Sequence, residues 1–510
     1  MVPAVDDGLL APNNAALAQN TWTYSGACAG LPVKKLVHTL TNSAATKVYR
    51  LPNNYTDSLH ISDSVWMEFA HSDTDVLRTQ VVNDTFDRYY WASPLDVPRY
   101  MTQAQVVAAA PALAGAYILG IPAPGAISGI VAGGASATLK SVAYVQTFVS
   151  AYGEEGPPSA PKTYTAQKID ATYTITFAQP SPTDDGDPGD DRNITKMRLY
   201  RTITATNGTT TYFFVTEVNV GTATFADNCS TNTDAIVAFN AELESTNWSG
   251  PPSDLQGWVS LSNGIVAGFR QNEIWFCEPF RMHAWPAIYT LAVEYPIVGL
   301  GVQNNSLVVC TDGFAYTVSG VHPSSMSLAK IGGLMPCTAR GGIVSTTDGV
   351  YFPTPAGLAL VGPGGLVIAT KELIRKDKWN ALVQLTTLRA AMLGSAYYAF
   401  GQKVLGVFQA DAFQADMVQA DDFAGANNGM LIDPTSLTVA YNKLTSTDLL
   451  TNVMTDVWSG EVFVIVDGTV LWLDISDTEQ QREAYIWRSK IFQAGQKKNF
   501  QAAKIFFTIP

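Results

Sequence analysis

Charge is what this chain of 510 residues is short of. Only 15% of it is Asp, Glu, Lys or Arg, against roughly 25% in an ordinary soluble domain. The 44 acidic residues outnumber the 31 basic ones and leave a net charge of −13. Such a balance argues against wrapping or sequence-specific contact with nucleic acid, which needs Lys/Arg clusters facing phosphates; it leaves room for nucleic acid that slides past without sticking. Histidine is scarce too, with five residues and neither an HEXXH run nor a three-His set, so no metal is expected. The five cysteines, Cys28, Cys229, Cys277, Cys310 and Cys337, are scattered without a CxxC pair. Four of them sit in apolar strand or turn contexts and read as small buried hydrophobes rather than disulfides or metal ligands. Long apolar runs are missing as well. The first residues, MVPAVDDGLLAPNN, have no basic region leading into an apolar core, so a secretory signal is not expected. Residues 105–139 are apolar but Ala/Gly-rich and divided by Pro111, Pro122 and Pro124, which reads as a packed strand and a flexible linker rather than a membrane span.

Catalytic frames are likewise wanting. Gly362-Pro363-Gly364-Gly365 lacks the phosphate-loop spacing and follows strand-like text instead of opening a helix. Neither a G-x-S-x-G elbow nor a pair of catalytic carboxylates stands out, and the Asp-Gly turns lack the Ser-x-Asp-x-Gly-x-Thr-Trp frame of a sialidase-like propeller. The chain is therefore expected to be no enzyme and to carry no cofactor, because any catalytic claim would rest on fold analogy alone. His283 and His322 stand 39 positions apart, close to one repeat, without a second ligand nearby. The acid run Asp184, Asp185, Asp187, Asp190 and Asp191 lacks the closing Glu of an EF-hand and reads as a solvated loop, with weak Ca²⁺ binding as the alternative.

What the chain does have is a repeat. A short apolar strand, a Gly-containing turn and a second apolar or aromatic strand begin at Asn263, Asn304, Asp348, Ser395, Asn428 and Ser459. The first three starts lie 41 and 44 residues apart and the later ones 47, 33 and 31. A period in the low forties built of short strands and turns is what a propeller blade needs. The turns Asp312-Gly313, Asp348-Gly349 and Asp467-Gly468 read as hairpin turns, with Gly supplying positive φ and Asp bonding its own backbone. Trp258, Trp275, Trp285, Trp458, Trp472 and Trp487 read as packing residues, each able to bury on the order of 150–250 Å², within blades or between subunits.

The expected fold class is all-β: a β-propeller with an accessory β-sandwich and an N-terminal β domain. Residues 1–104 read as an N-terminal β module that completes or flanks the propeller, with Ser64–Phe69 alternating as a half-buried strand does. Residues 105–140 read as a Pro/Ala/Gly-rich linker, 141–235 as the sandwich, and 236–510 as blades with an insertion near 409–428.

Two resemblances add to this reading. YVQTFVSAYGEEGPPSAP, from Tyr144, together with MRLYRT, from Met197, resembles fibronectin type III modules, in which a Tyr-led strand precedes a GEGPPS-like turn. The set NEIWFCEPFRMHAWP, EYPIVGLGVQNNSLVVCTDGFAYTVSGVHPSSMS, DVLRTQVVNDTFDRYYW, DGVYFPTPAGLALVG and AYIWRSKIF is similar to the tail nozzle, or tail tubular protein B class, of short-tailed double-stranded DNA phages, over residues 31–500. That resemblance implies a virion structural protein located in the tail. It would form a homo-oligomeric ring, a hexamer, as conduit and gate for DNA ejection, with a tail adaptor above and fibres or a needle at the periphery. DNA would pass transiently without specific binding. No catalytic residue comes with it. The alternatives are a propeller-based receptor- or glycan-binding virion protein and, third, a glycan hydrolase. The 409–428 segment is the candidate gate loop, an outer-rim decoration being the other reading.

Overall fold

A computed structural model describes residues 15–19, 21–22, 29–52, 61, 64–181, 191–204, 210–228, 240–371, 374, 376–382, 384–402, 427–433, 438–442, 450–475, 481–484 and 486–489. The fold is all-β, a propeller built of antiparallel meanders with an accessory sandwich. The chain groups into two compact units: residues 1–73, 294–318 and 329–510, and residues 74–293 with 319–328.

The first unit is made of blades. Val344–Ser345, Val350–Thr354, Gly357–Gly362 and Gly365–Ile368 form one four-stranded sheet in chain order, and Ile297–Gln303, Ser306–Thr311, Ala315–Ser319 and Ser327–Ile331 another. Arg389–Leu393, Ala396–Gln402, Asn427–Asp433 and Thr438–Asn442 form a third, and Leu450–Thr455, Val462–Val466 and Thr469–Leu473 start a fourth. The opening strands of these four lie side by side in succession, as the inner strands of adjacent blades do. Val462–Val466, VFVIV, is buried at every position, because a blade strand between two neighbouring blades has no solvent face and needs no alternation.

The N-terminal residues complete this unit rather than forming a separate module. Lys35–Thr39 is the fourth strand of the last sheet, with Thr39 opposite Thr469 and Lys35 opposite Trp472. Ala15–Gln19 adds to the third sheet, parallel to Thr438–Asn442, and carries Ile486–Ser489 antiparallel on its other side. The hairpin Lys47–Leu51 with Val65–Phe69 packs Trp66 against Phe463 and Ile465. The expected insertion near 409–428 lies outside the described residues, save that Asn427 and Asn428 open the strand Asn427–Asp433.

The second unit holds two more four-stranded sheets. One is Asp75–Arg78, Arg88–Ser93, Asp96–Thr102 and Tyr117–Ile118; the other is Gln256–Ser260, Val266–Arg270, Glu273–Phe276 and Leu291–Ala292. Their opening strands are neighbours, and Trp258, Trp285, Tyr90 and Tyr100 share one core. Residues 105–140 differ from the expected linker. They hold most of the helix Gln103–Ala109, whose Thr102–Gln105 capping box satisfies the first turn, then Tyr117–Ile118 and the sandwich strand Ser128–Ala132. Three prolines broke the stretch without preventing short elements between them.

The sandwich has two sheets. Ser128–Ala132, Thr172–Thr176 and Thr224–Asn228 form one, with Thr172–Thr176 central; Lys162–Lys168, Leu139–Ser150, Ile194–Thr204 and Thr210–Asn219 lie in that order in the other. Between them pack Tyr144, Phe148, Tyr173, Ile175, Met197 and Leu199. Among the described residues, no helix is long and apolar enough to cross a membrane.

Candidate functional site

The three Asp-Gly turns all connect strands, but they do so differently. At Asp467-Gly468 both residues have positive φ, 46° and 75°, the two-residue hairpin geometry that Asp-Gly favours. Gly349 has φ 150°, and a Cβ there would meet the Val361 carbonyl oxygen at 2.2 Å; close approach of backbone requires glycine at that place. Gly313 is not in the left-handed region; its N–H donates to Thr311 Oγ1 at 3.0 Å, and its missing side chain makes room for the Tyr295 ring. A fourth turn, Asn263-Gly264, has φ 62° and 71°. The Gly362–Gly365 segment is also a turn, with Gly362 paired to Gly365 across a hairpin.

The tryptophans divide. Trp258 and Trp285 are buried and stacked, ring centres 5.8 Å apart, and Trp275 packs on the same core with its Nε1 donating to Glu273 at 3.1 Å. Trp472 is half-buried, donates to Glu461 at 3.1 Å and lies under the Lys35 ammonium. Trp458 is half-buried in a turn. Trp487 lies in the strand Ile486–Ser489, its backbone paired with Ala18.

Sequence reasoning passed over two acidic residues, Glu154 and Glu155, as part of a turn. They follow the Tyr-led strand and face opposite ways. Glu155 stays with the sandwich, accepting from Thr147 Oγ1 at 2.6 Å, Tyr200 OH at 2.7 Å and Arg198 Nη1 at 2.6 Å. Glu154 is buried against the blade-like sheets of the same unit, where Arg88 Nη1 reaches Oε1 at 2.5 Å and Arg88 Nε reaches Asp84 at 2.8 Å. His283 Nδ1 lies 3.8 Å from the same Glu154 oxygen. Burial pushes the Glu154 carboxyl above the usual range, with Arg88 and Ser150 pulling the other way. Burial, then the charges of Arg281 and Arg88, push His283 down to about 3. Arg88, which burial alone would push down, is instead raised by Tyr90, Glu154 and Asp84. An acidic turn that stands alone in sequence gives no hint that an arginine 66 positions away neutralises it.

His283 and His322 do occupy matching places, each in the connection between the third and fourth strands of its sheet. Their roles differ. His322 is half-buried, accepts from Ser324 N at 3.2 Å and meets the Tyr289 ring edge-on at 5.8 Å; the two histidines do not converge on one ligand set. Of the acid run, Asp184, Asp185, Asp187 and Asp190 lie outside the described residues, and Asp191 accepts from Asn193 N at 2.6 Å. Among the described residues, no group of three or more His, Cys, Asp or Glu is placed to hold a metal.

Two further buried ion pairs went unread in sequence. Arg50 Nη2 meets Asp456 at 2.5 Å and Arg50 Nη1 meets Ser64 at 3.1 Å, joining the 47–69 hairpin to the turn after Leu450–Thr455. Inside the sandwich, Arg201 Nη1 and the Tyr144 hydroxyl both reach Asp227 at 2.8 Å. Asn452 completes the set, its amide donating to Thr46 O at 2.9 Å and its carbonyl accepting from Val453 N. Chemically these are clasps: each buried charge is neutralised by a partner, which holds strands in register.

No family model matches the sequence, and no curated protein does. Solved structures are similar at a distance. The N-terminal domain of Nup159 aligns at 10% identity over 49% of this chain and 83% of that one, with a TM-score of 0.24. BBS1N in its complex with ARL6DN aligns at 9% identity over 60% and 88%, TM-score 0.26. Hsv2 of Kluyvelomyces marxianus aligns at 9% identity over 54% and 70%, TM-score 0.25. Likeness this remote carries no argument about function.

Proposed function

We propose that this chain is an architectural virion component, the nozzle of a short phage tail, whose copies close into a ring around the path of double-stranded DNA. The observation that carries the reading is the surface. In the first unit Leu36, Leu334 and Val457 stand out, and in the second Val82, Leu95, Ile288 and Val321, each between 62% and 83% exposed. Isolated exposed apolar residues are ordinary on a monomer, but this many on so thinly charged a chain suit a surface that neighbouring copies cover. A closed ring repeats one pair of complementary patches at every junction. The buried clasps support the same reading, since a conduit under load needs sheets that keep their register. With acidic residues in excess, the channel wall is neutral to acidic, and DNA of like sign slides through without the counterion release that makes binding tight. An adaptor above and fibres or a needle at the rim would complete the tail.

Electron microscopy of the purified chain tests this: rings of about sixfold symmetry are expected. A monomer that gives no rings at any concentration or salt would overturn it, and a continuous Lys/Arg belt along the lumen of such rings would reject the neutral wall. The second reading, a receptor- or glycan-binding virion protein, is favoured by one feature. Phe280 is 52% exposed over Gly264, while Tyr289 and His322, both half-buried, lie edge-to-face on the neighbouring turns, and partly exposed rings of this kind can stack on sugars. Binding on a glycan array by a monomeric chain would select it.

A further inference from the structure

We propose that the ring junction is made by two aromatic patches, one in each unit, the second-unit patch of one copy seating on the first-unit patch of the next. The inference rests on the ring reading and adds which surfaces meet. In the second unit, three turns are gathered by contacts that close on themselves. Phe280 N–H donates to Gly264 O at 2.8 Å, and the Phe280 ring covers Gly264 so closely that a Cβ there would collide with it. Asn263 Nδ2 donates to Val321 O at 3.4 Å, His322 meets the Tyr289 ring, and the Tyr289 hydroxyl donates to Glu278 at 2.9 Å, two residues before Phe280. Phe280, Ile288 and Val321 are each more than half exposed.

The first-unit patch has the same construction. The Tyr295 ring covers Gly313 as Phe280 covers Gly264. Phe314 tilts against Tyr295 with ring centres 5.7 Å apart, and Met335 N–H donates to Gly313 O at 2.9 Å, which brings the exposed Leu334 to the same place. Lys330 stands over the Phe314 ring and pairs with Glu294 at 3.0 Å. At both sites a missing Cβ lets a ring settle on backbone, while 52% of Phe280 and 37% of Tyr295 stay in solvent. A ring already held in place loses little freedom on binding, and aromatic anchors of this kind carry interface cores.

Size and charge decide the occupant. Each patch offers on the order of 300 Å² of apolar surface, as much as the largest patch on many monomers and enough for the apolar core of the roughly 800 Å² that each partner gives a stable junction. The cations beside the patches, Arg281 and Lys330, are paired with Glu244 and Glu294, so neither patch draws phosphates or anionic headgroups. A sugar needs hydrogen-bonding groups beside the ring it stacks on, and the Tyr289 hydroxyl and His322 Nδ1 already serve Glu278 and Ser324. What fits is a second neutral, apolar patch, and the chain itself carries one. A closed head-to-tail ring needs two surfaces on every copy that fill each other; one patch in each unit supplies the pair.

The test mixes two variants of the full chain in the analytical ultracentrifuge. Ile288→Glu with Val321→Glu puts charge into the second-unit patch, and Leu334→Glu puts it into the first-unit patch. The parent should form rings, and each variant alone should stay monomeric up to concentrations about 100-fold higher or more, with a melting temperature within about 2 °C of the parent's. If the glutamates lower that temperature further, serine at the same positions replaces them. An equimolar mixture of the two variants keeps one intact junction, so it should stop at dimers. Rings from either variant at the parent's concentration, or a mixture that stays monomeric, would overturn this pairing while the ring itself stands. A monomeric parent would sink both. Glycan-array binding that the parent shows and the variant at Ile288 and Val321 loses, with its rings intact, would give the second-unit patch to a sugar instead.

Discussion

In the first unit the buried Arg50 takes its partner, Asp456, from 406 positions away, whereas in the second Arg88 finds Glu154 at 66 positions and Arg201 finds Asp227 at 26. Strands follow the same division. The first unit's last sheet waits for Lys35–Thr39, and its third accepts both Ala15–Gln19 and Ile486–Ser489. The second unit's sandwich and sheets are built from the nearly continuous stretch 74–293. A structure closed by distant segments folds only when its ends have arrived, and the loop-closure entropy of that arrival is offset by burying a whole strand and a charge pair. The difference teaches where each unit is vulnerable: the first at its ends, the second at its internal clasps.

Removing residues 1–39 should break the comparison most severely. The deletion strips Leu31 from one core and the closing strand from the last sheet. A melting midpoint lowered by more than about 10 °C is expected, with limited proteolysis cutting first within Leu450–Leu473; an unchanged midpoint would mean that the strand adds nothing. Next come the clasps. Arg50→Ala and Arg201→Ala should each cost about 3–5 kcal/mol in urea unfolding, because each leaves a buried carboxylate without its guanidinium. If Arg50→Ala costs under about 1 kcal/mol, the long-range clasp is not what joins the hairpin to the turn.

The second unit should also carry an acid sensitivity that His283 dominates. Its ordinary pKa is near 6.5 and burial puts it at about 3 in the folded chain. The folded state therefore refuses a proton that the unfolded state accepts, and stability present above pH 6.5 is lost as the pH falls toward 3. Glu154, raised in the folded state, works the opposite way, its stabilisation fading as the pH rises past its shifted value. Comparing His283→Phe with the parent separates the two. Between pH 7 and pH 5 the variant should lose about 2 kcal/mol less than the parent, measured by urea unfolding at both pH values, and equal losses would show that His283 is not held neutral. The smallest effect is at the turns. Gly468→Ala has open space and only its φ of 75° to strain, a cost of about 1 kcal/mol, while Gly349→Ala, blocked by Val361 O, should cost several times as much. Equal thermal shifts for the two would contradict the close approach.

Much of the strand pattern was legible because it is local. Asp467-Gly468 between VFVIV and TVLWL reads as a hairpin from seven or so residues, and the structure has that hairpin with the expected positive φ. Alternation across Ser64–Phe69 likewise gave the strand Val65–Phe69. The expected linker at 105–140 misled because prolines and alanines mark breaks without saying what lies between them; a seven-residue helix and a five-residue strand fit in the gaps. Glu154 was unreadable for another reason. A carboxylate in a Gly-flanked turn looks solvated until Arg88, Asp84 and His283 are brought around it.

Side-chain periodicity and turn chemistry act over a few residues, so the order of residues alone decided that this chain would be short antiparallel strands joined by tight turns, poor in charge. Which strand ends which sheet is another matter. An edge strand carries free N–H and C=O groups that any edge can satisfy, and only the folded chain decided that Lys35–Thr39 should meet Thr469–Leu473 and that Arg50 should meet Asp456. The physical reason is that backbone hydrogen bonds are alike everywhere; choosing among equal partners takes the burial of particular side chains that only the assembled core supplies.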